Sequence, residues 1–307
     1  MSALDQACGD YLALRRALGF KLTRHGRLLP DLVAYLEAGG ETTVVTHLAL
    51  EWATQPAGHP QEWAVRLSIA RGFARYLRAL DGRAEVPPTD LLPRCRRRPI
   101  PYLYSDAEIV ALLAATETLR FPLTRATYRT LIGLLAVSGM RVGEAIGLDR
   151  SDVDLAAGCV TVRGGKPGAA RELPLHDSTL QALQEYCSVR DQRGPHPASP
   201  AFFLSTTGTR LFYANVYKTF RGLLAEAGLR PRAGADGGPR IHSLRHTFAV
   251  RTLSDGYHAR LDVVALMPRL ASYLGHAAPA GSYWYLQATP ELLQLAAERL
   301  EHVGSQQ

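Results

Sequence analysis

Between His242 and Tyr285 the chain gathers three residue types that one chemistry uses together. His242-Ser243-Leu244-Arg245-His246 opens the stretch, Leu274-Gly275-His276 follows, and Tyr283-Trp284-Tyr285 closes it. A guanidinium fork can hold phosphate oxygens, an imidazole can hydrogen-bond the same group or move a proton, and a phenol can attack phosphorus. Two upstream cations, Arg141 and Lys166, stand where they could join the set. Simpler readings exist for each. Arg141 and Glu144 are spaced i, i+3 and could form only a helix ion pair. Lys166, among glycines, could be an ordinary exposed turn residue, and most tyrosines in such a stretch belong to cores. His242 and His246 are spaced i, i+4, as in zinc sites. No acidic residue lies between them and no third ligand stands out, so no metal is expected.

The elements that must position these residues are mainly helices. Ser105-Asp106-Ala107-Glu108 is a capping-box pattern ahead of Ile109, Leu112 and Leu113. A helix is predicted from about 124 to 138, broken by Gly139, and a short one starts at Arg141-Val142-Gly143-Glu144. The clear β signal is Val160-Thr161-Val162 and Glu172-Leu173-Pro174-Leu175 around Gly164-Gly165-Lys166-Pro167-Gly168. That is a hairpin with Lys166 near its tip. Helices follow at about 177–191, 212–227, 242–255, 262–273 and 289–301, and Phe202-Phe203-Leu204 reads as another short strand. The fold expected is mainly α with a small β-hairpin sheet, an α+β arrangement.

Residues 1–93 read as four short helices. Tyr11, Leu12, Leu14 and Leu18 suggest one apolar face, and Leu28, Leu32, Tyr35 and Leu36 a second that Gly39-Gly40 ends. Thr46 is placed as the cap of a third helix carrying Leu48, Leu50 and Trp52. A fourth, from about Gln61 to Leu80, has Trp63, Leu67, Ala70, Ala74 and Leu77 on its apolar side. Arg71, Arg75 and Arg78 form a stripe on it, which fits either a solvated face or a surface that tracks phosphates. Residues 94–101, with Arg94, Arg96, Arg97, Arg98, Pro99 and Pro101, read as a basic extended linker. The rest, 102–307, forms the second domain.

Composition agrees with two globular domains. The chain has 307 residues, 47% hydrophobic and 21% charged, enough to build real cores. Its formal net charge is +7, and the lysines are only Lys21, Lys166 and Lys218, so arginine carries the excess. Arginine forks match phosphate, which favours a nucleic-acid partner. A coding bias towards arginine would give part of the same signal. Cys8, Cys95, Cys159 and Cys187 are scattered, without metal or disulfide spacing. There is no signal-like N-terminus and no long apolar run, so a cytoplasmic protein that does not engage membrane is expected, and a nucleic-acid partner would place it at the nucleoid.

The motifs resemble the tyrosine recombinases, also called phage integrases. Ser138-Gly139-Met140-Arg141-Val142-Gly143-Glu144-Ala145-Ile146-Gly147-Leu148 is similar to that family's first-arginine motif. Gly165-Lys166, with Arg171 and Pro174-Leu175, resembles its β-hairpin lysine. His242-Ser243-Leu244-Arg245 resembles its HxxR helix and Leu274-Gly275-His276 its LGH motif. Tyr285, nine residues past His276, stands at the usual place of the nucleophile. The five motifs run in order over about 105–300. Two features depart from compact members. Arg245 to His276 spans 31 residues, and Tyr283-Trp284-Tyr285-Leu286 looks more like transposon-encoded relatives.

The resemblance implies a two-domain clamp on double-stranded DNA, a helical core-binding domain joined to a catalytic domain. It implies catalytic Arg141, Lys166, His242, Arg245, His276 and Tyr285, with no cofactor. Tyr285 is the nucleophile, and Tyr283 the second choice. Arg71, Arg75, Arg78, Arg96, Arg97 and Arg98 would contact the DNA backbone. The family's assembly is a homotetramer on DNA, a dimer per site, with helix 289–301 docking on a neighbour, and accessory recombinases are possible partners. The same groups would also serve a type IB topoisomerase, and the same fold a DNA-binding accessory protein that does not cut.

Overall fold

The computed structural model describes residues 2–55, 60–92, 101–163, 170–192, 199–231, 238–275, 285 and 292–294. The chain divides into two compact units, Met1–Arg98 and Pro99–Gln307. The basic stretch 94–101 lies outside the described residues except Pro101, and helix 289–301 lies outside them except 292–294.

The first unit has helices α1 (Ala3–Ala17), α2 (Thr23–Ala38), α3 (Thr46–Thr54) and α4 (Pro60–Asp81). Its core joins Leu29, Leu32 and Leu36 of α2 to Trp52, Leu67, Phe73 and Ala74. Trp52 is held on both sides. Its Nε1 donates to Asp31 at 2.8 Å. The Arg66 guanidinium lies 3.9 Å over its ring and donates to its carbonyl at 2.9 Å.

Two details differ from expectation. The buried stripe of α1 is Leu4, Cys8, Tyr11 and Leu12. Leu14 is exposed, and Leu18 lies past the last turn, also exposed. Thr46 is not the cap of α3 but its first residue. Val45 precedes it in extended backbone without a side-chain cap. The Thr46 N–H donates instead to Glu85 Oε2 at 2.7 Å, so a carboxylate from beyond α4 closes this helix start.

The second unit has α5 (Asp106–Ala115), α6 (Pro122–Ser138) and α7 (Val142–Gly147), then strands β1 (Val153–Asp154), β2 (Cys159–Arg163) and β3 (Ala170–Pro174). Helices α8 (Asp177–Asp191), α9 (Tyr213–Glu226), α10 (Ser243–His258) and α11 (Val263–Leu274) follow. The Ser105–Glu108 capping box is present. The sheet is antiparallel in the order β1-β2-β3, with Val160 opposite Leu173 and Val162 opposite Arg171. The two-residue β1 gave no sequence signal of its own. The segment Phe202-Phe203-Leu204 forms no strand. It is flanked by isolated bridges, Ala201 to Asp149 and Leu204 to Arg210, while both phenylalanines are buried against Tyr186. Their apolar run serves core packing rather than a ladder. Among the described residues no helix is long and apolar enough to cross a membrane.

The turn after α6 aims the first arginine. Gly139 ends the helix at φ +59°, a left-handed backbone that glycine adopts freely. A Cβ there would stand 2.4 Å from Phe248 Cδ1 on α10. Gly139→Ala therefore meets both backbone strain and overpacking. It should lower unfolding free energy by roughly 1–3 kcal/mol in denaturant melts. An unchanged midpoint would mean that the turn and α10 adjust freely.

Candidate active site

The site is organised by the C-terminal end of α11. A helix leaves its last carbonyls without intrahelical partners, and they carry the negative end of its dipole. Three arginines from three elements converge on them. Arg171 of β3 donates through Nε to the Tyr273 carbonyl at 2.8 Å. Arg245 of α10 donates through Nη2 to Leu274 at 2.7 Å. Arg141, just before α7, reaches Leu274 at 3.5 Å and Gly275 at 3.1 Å. Gly275 itself turns at φ +68°. A Cβ at Gly275 would meet Arg171 Nη1 at 2.7 Å, so glycine is what lets that guanidinium lie against the turn.

Arg141 and Arg245 are thus neighbours on one carbonyl, although 104 residues separate them in the chain. Their environments differ. Arg245 is 2% exposed, and its Nη1 also donates to the Gly139 carbonyl at 2.8 Å, tying the end of α6 to that of α11. Burial, then the Arg141 charge, lowers its proton affinity, while Tyr285 and Glu144 act the other way. An arginine remains charged under such pressure. The Arg141 side chain is 41% exposed, and its Nη1 pairs with Glu144 Oε1 at 2.8 Å. Glu144 Oε2 accepts the Arg141 backbone N–H at 2.9 Å and Arg171 Nη2 at 2.8 Å. Burial alone would raise the Glu144 carboxyl. Hydrogen bonds from Arg171, from the Arg141 backbone and from the Arg141 side chain hold it below its usual range.

Tyr285 is 3% exposed and sits beside the Arg245 side chain, whose proton affinity it helps to raise. It packs in an apolar cluster with Ala249, Leu253, Met267 and Leu274. Its ring centre lies 5.7 Å from that of His246, which meets His242 edge-on at 4.8 Å. One continuous group therefore contains Arg141, Arg245, His242, His246 and Tyr285. Lys166, His276 and Tyr283 lie outside the described residues, though His276 directly follows Gly275 in sequence. Among the described residues no three His, Cys, Asp or Glu side chains cluster as a metal site.

His242 stands just before α10 and keeps exposed surface. Loss of solvent around its ring lowers its proton affinity, and so do the charges of Arg245 and Arg141. Desolvation is the larger cause, and the two arginine charges add to it in the same direction. The imidazole should titrate below the 6.5 of an ordinary histidine. Arg141→Gln removes one repelling charge, so the titration should move up towards that value. NMR of the His242 ring against pH in the DNA-free protein reads this directly. A downward move, or none, would contradict the assigned cause. For stability the sign is that of a depressed group. The contribution is present above the unfolded-state value and is lost as pH falls through and below it.

The stripe on α4 divides. Arg71 donates to the carbonyls of Pro87 at 2.6 Å and Pro88 at 2.7 Å, so it anchors the chain after α4. Arg75 and Arg78 are exposed. Arg96, Arg97 and Arg98 lie outside the described residues. The arginine that sequence reading undervalued is Arg171, noted only as part of a motif. It stands two residues before buried Leu173, hence on the inward face of β3. An inward-facing charge on a strand signals a buried partner.

The chain matches the sequence model of the phage integrase family over residues 103–291. It is 43% identical to the putative integrase/recombinase y4rB of Sinorhizobium fredii, over 98% of each chain. It is 34% identical to the tyrosine recombinase XerC of Azotobacter vinelandii, over 75% of this chain and 71% of that protein. Among solved structures it is similar to the Tn1549 transposon integrase in complex with transposon right end DNA. The TM-score there is 0.67 at 17% identity, over 96% of this chain and 99% of that one. The XerH site-specific recombinase bound to palindromic difH substrate gives 0.65 at 20% identity, over 89% and 78%. At those identities the structures speak for the fold, while the family match and the curated relatives speak for descent: the chain belongs to the phage integrase family, the tyrosine recombinases.

Proposed function

We propose that this chain is a site-specific DNA recombinase that cuts and rejoins strands through a tyrosine-linked intermediate. The observation that carries the reading is the meeting of Arg141 and Arg245 on one carbonyl, with Tyr285 beside Arg245. A phosphodiester under attack gathers negative charge on its non-bridging oxygens, and preorganised donors there are commonly the largest catalytic term. Arg141 and Arg245 hold those oxygens. The Tyr285 phenolic oxygen bonds to phosphorus, its proton passes to His242, and the bond from phosphorus to the 5′-oxygen breaks. Lys166 supplies that oxygen with a proton, and His276 hydrogen-bonds the phosphate. The products are a 3′-phosphotyrosine and a free 5′-hydroxyl. The hydroxyl of a partner strand then attacks the same phosphorus and releases the phenol, so the bond energy is conserved without a cofactor.

The chain acts on double-stranded DNA in the cytoplasm, at the nucleoid. The helical unit 1–93 and linker 94–101 bind one side of the duplex, and 102–307 carries the chemistry. Exposed Arg75 and Arg78, with Arg96, Arg97 and Arg98, suit backbone contacts, and Arg71 supports them by holding Pro87 and Pro88. Strand exchange runs through a Holliday junction in a tetramer, a dimer per site, with helix 289–301 docking on the neighbouring subunit.

The test uses DNA that the protein captures in its own host. Two copies of the captured sequence are placed on a supercoiled plasmid. A recombinase yields deletion or inversion products that depend on both copies. Relaxation of any plasmid without recombinants would mark a topoisomerase, and binding without either product a protein that does not cut.

A further inference from the structure

We infer that Arg171 is a positioning residue that neutralises Glu144 and so leaves the Arg141 charge available to the DNA phosphate. The inference rests on the recombinase reading and adds to it a residue outside the proposed catalytic six.

The geometry is asymmetric. Glu144 is gripped from two sides, by Arg171 Nη2 at 2.8 Å and Nη1 at 3.3 Å, and by Arg141 Nη1 at 2.8 Å. The Glu144 and Arg171 side chains keep only 15% and 16% exposure, while that of Arg141 keeps 41%. The buried pair is therefore Glu144 with Arg171, and Arg141 is the member open to a ligand. A lone half-buried carboxylate beside Arg141 would cancel its charge and hold it away from phosphate. With Arg171 in place, one carboxylate is set against three guanidiniums, and positive charge remains on Arg141 and Arg245. The fork of Arg171 allows this while its Nε stays on the Tyr273 carbonyl. The same side chain thus ties β3 to both α7 and the end of α11, where the segment leading to His276 begins.

The account gives a sign that a merely structural role does not. Removing Arg171 leaves an unbalanced carboxylate, and removing that carboxylate as well should restore function. Single-turnover cleavage is measured on a nicked duplex carrying the captured site, alongside DNA affinity and thermal melts. Arg171→Gln should slow covalent adduct formation by about 100-fold, with DNA affinity changed by less than about threefold. The double variant Arg171→Gln with Glu144→Gln should be faster than Arg171→Gln alone by about tenfold. Arg171→Lys, which keeps the charge but loses the fork and its hold on the Tyr273 carbonyl, should be faster than Arg171→Gln by about tenfold while staying below wild type.

An unchanged rate in Arg171→Gln overturns the inference and leaves the recombinase reading intact. So does a double variant no faster than the single, or an Arg171→Lys variant as slow as Arg171→Gln. A wild-type protein that forms no adduct on this DNA fails the recombinase reading itself, and the inference falls with it.

Discussion

Tyr285→Phe should abolish covalent capture of nicked DNA while leaving DNA binding within about twofold of wild type. The substitution removes one oxygen, the only atom by which this side chain could bond to phosphorus, and no neighbouring group can replace a nucleophile fixed in the phosphotyrosine path. The ring stays in its apolar cluster with Leu253, Met267 and Leu274. What folding loses is the hydroxyl's polar interaction with the Arg245 side chain, worth about 1–3 kcal/mol because that partner is charged. The variant should therefore remain folded at room temperature, and loss of adduct would report chemistry. Tyr283→Phe is the control and should still form adduct. The reverse pattern would move the nucleophile to Tyr283 and require a two-residue shift of its segment.

The second large effect concerns the two arginines. Arg141→Lys and Arg245→Lys should each slow cleavage by roughly 100- to 1000-fold, because a point charge replaces a planar fork at an oxygen that gathers charge. Their stabilities should differ. Arg141 is partly exposed, and its loss should change the melt by less than about 1 kcal/mol. Arg245 is buried on the carbonyls of Gly139 and Leu274. Lysine cannot satisfy both in the same geometry, and an orphaned buried acceptor costs about 1–3 kcal/mol. Equal melts with unequal rates would reverse this division of roles. Little rate loss in either variant would remove the arginines from the chemistry.

Much of this site was legible in the chain because its parts are local. The Ser105 capping box, the break at Gly139, the β2–β3 hairpin and the helix carrying Arg245 each depend on a few adjacent residues. Periodicity and turn chemistry report such features directly. The family resemblance then named Arg141, Arg245 and Tyr285 as a set. What stayed hidden depends on contacts distant in sequence. Glu85 closes the start of α3 from 39 residues away, and no local rule finds such a cap. Phe202 and Phe203 look like strand because aromatic residues suit strands, yet packing on Tyr186 decided their place. The Arg71 stripe looked uniform, but Arg71 is drawn to the Pro87 and Pro88 carbonyls. The capture of the α11 carbonyls by Arg141, Arg171 and Arg245 joins three elements, and only the folded chain reveals it.

The central claim is that one phosphorus is attacked by one phenol while two guanidiniums hold its oxygens. Its most direct test is the chemical identity of the trapped adduct. The wild-type protein is reacted with a nicked duplex of its captured site, digested, and the nucleotide-bearing peptide sequenced by mass spectrometry. The account predicts a peptide containing Tyr285, its phenolic oxygen linked to a DNA 3′-phosphate, with a free 5′-hydroxyl on the released strand. A linkage through another residue, or to a 5′-phosphate, would contradict it.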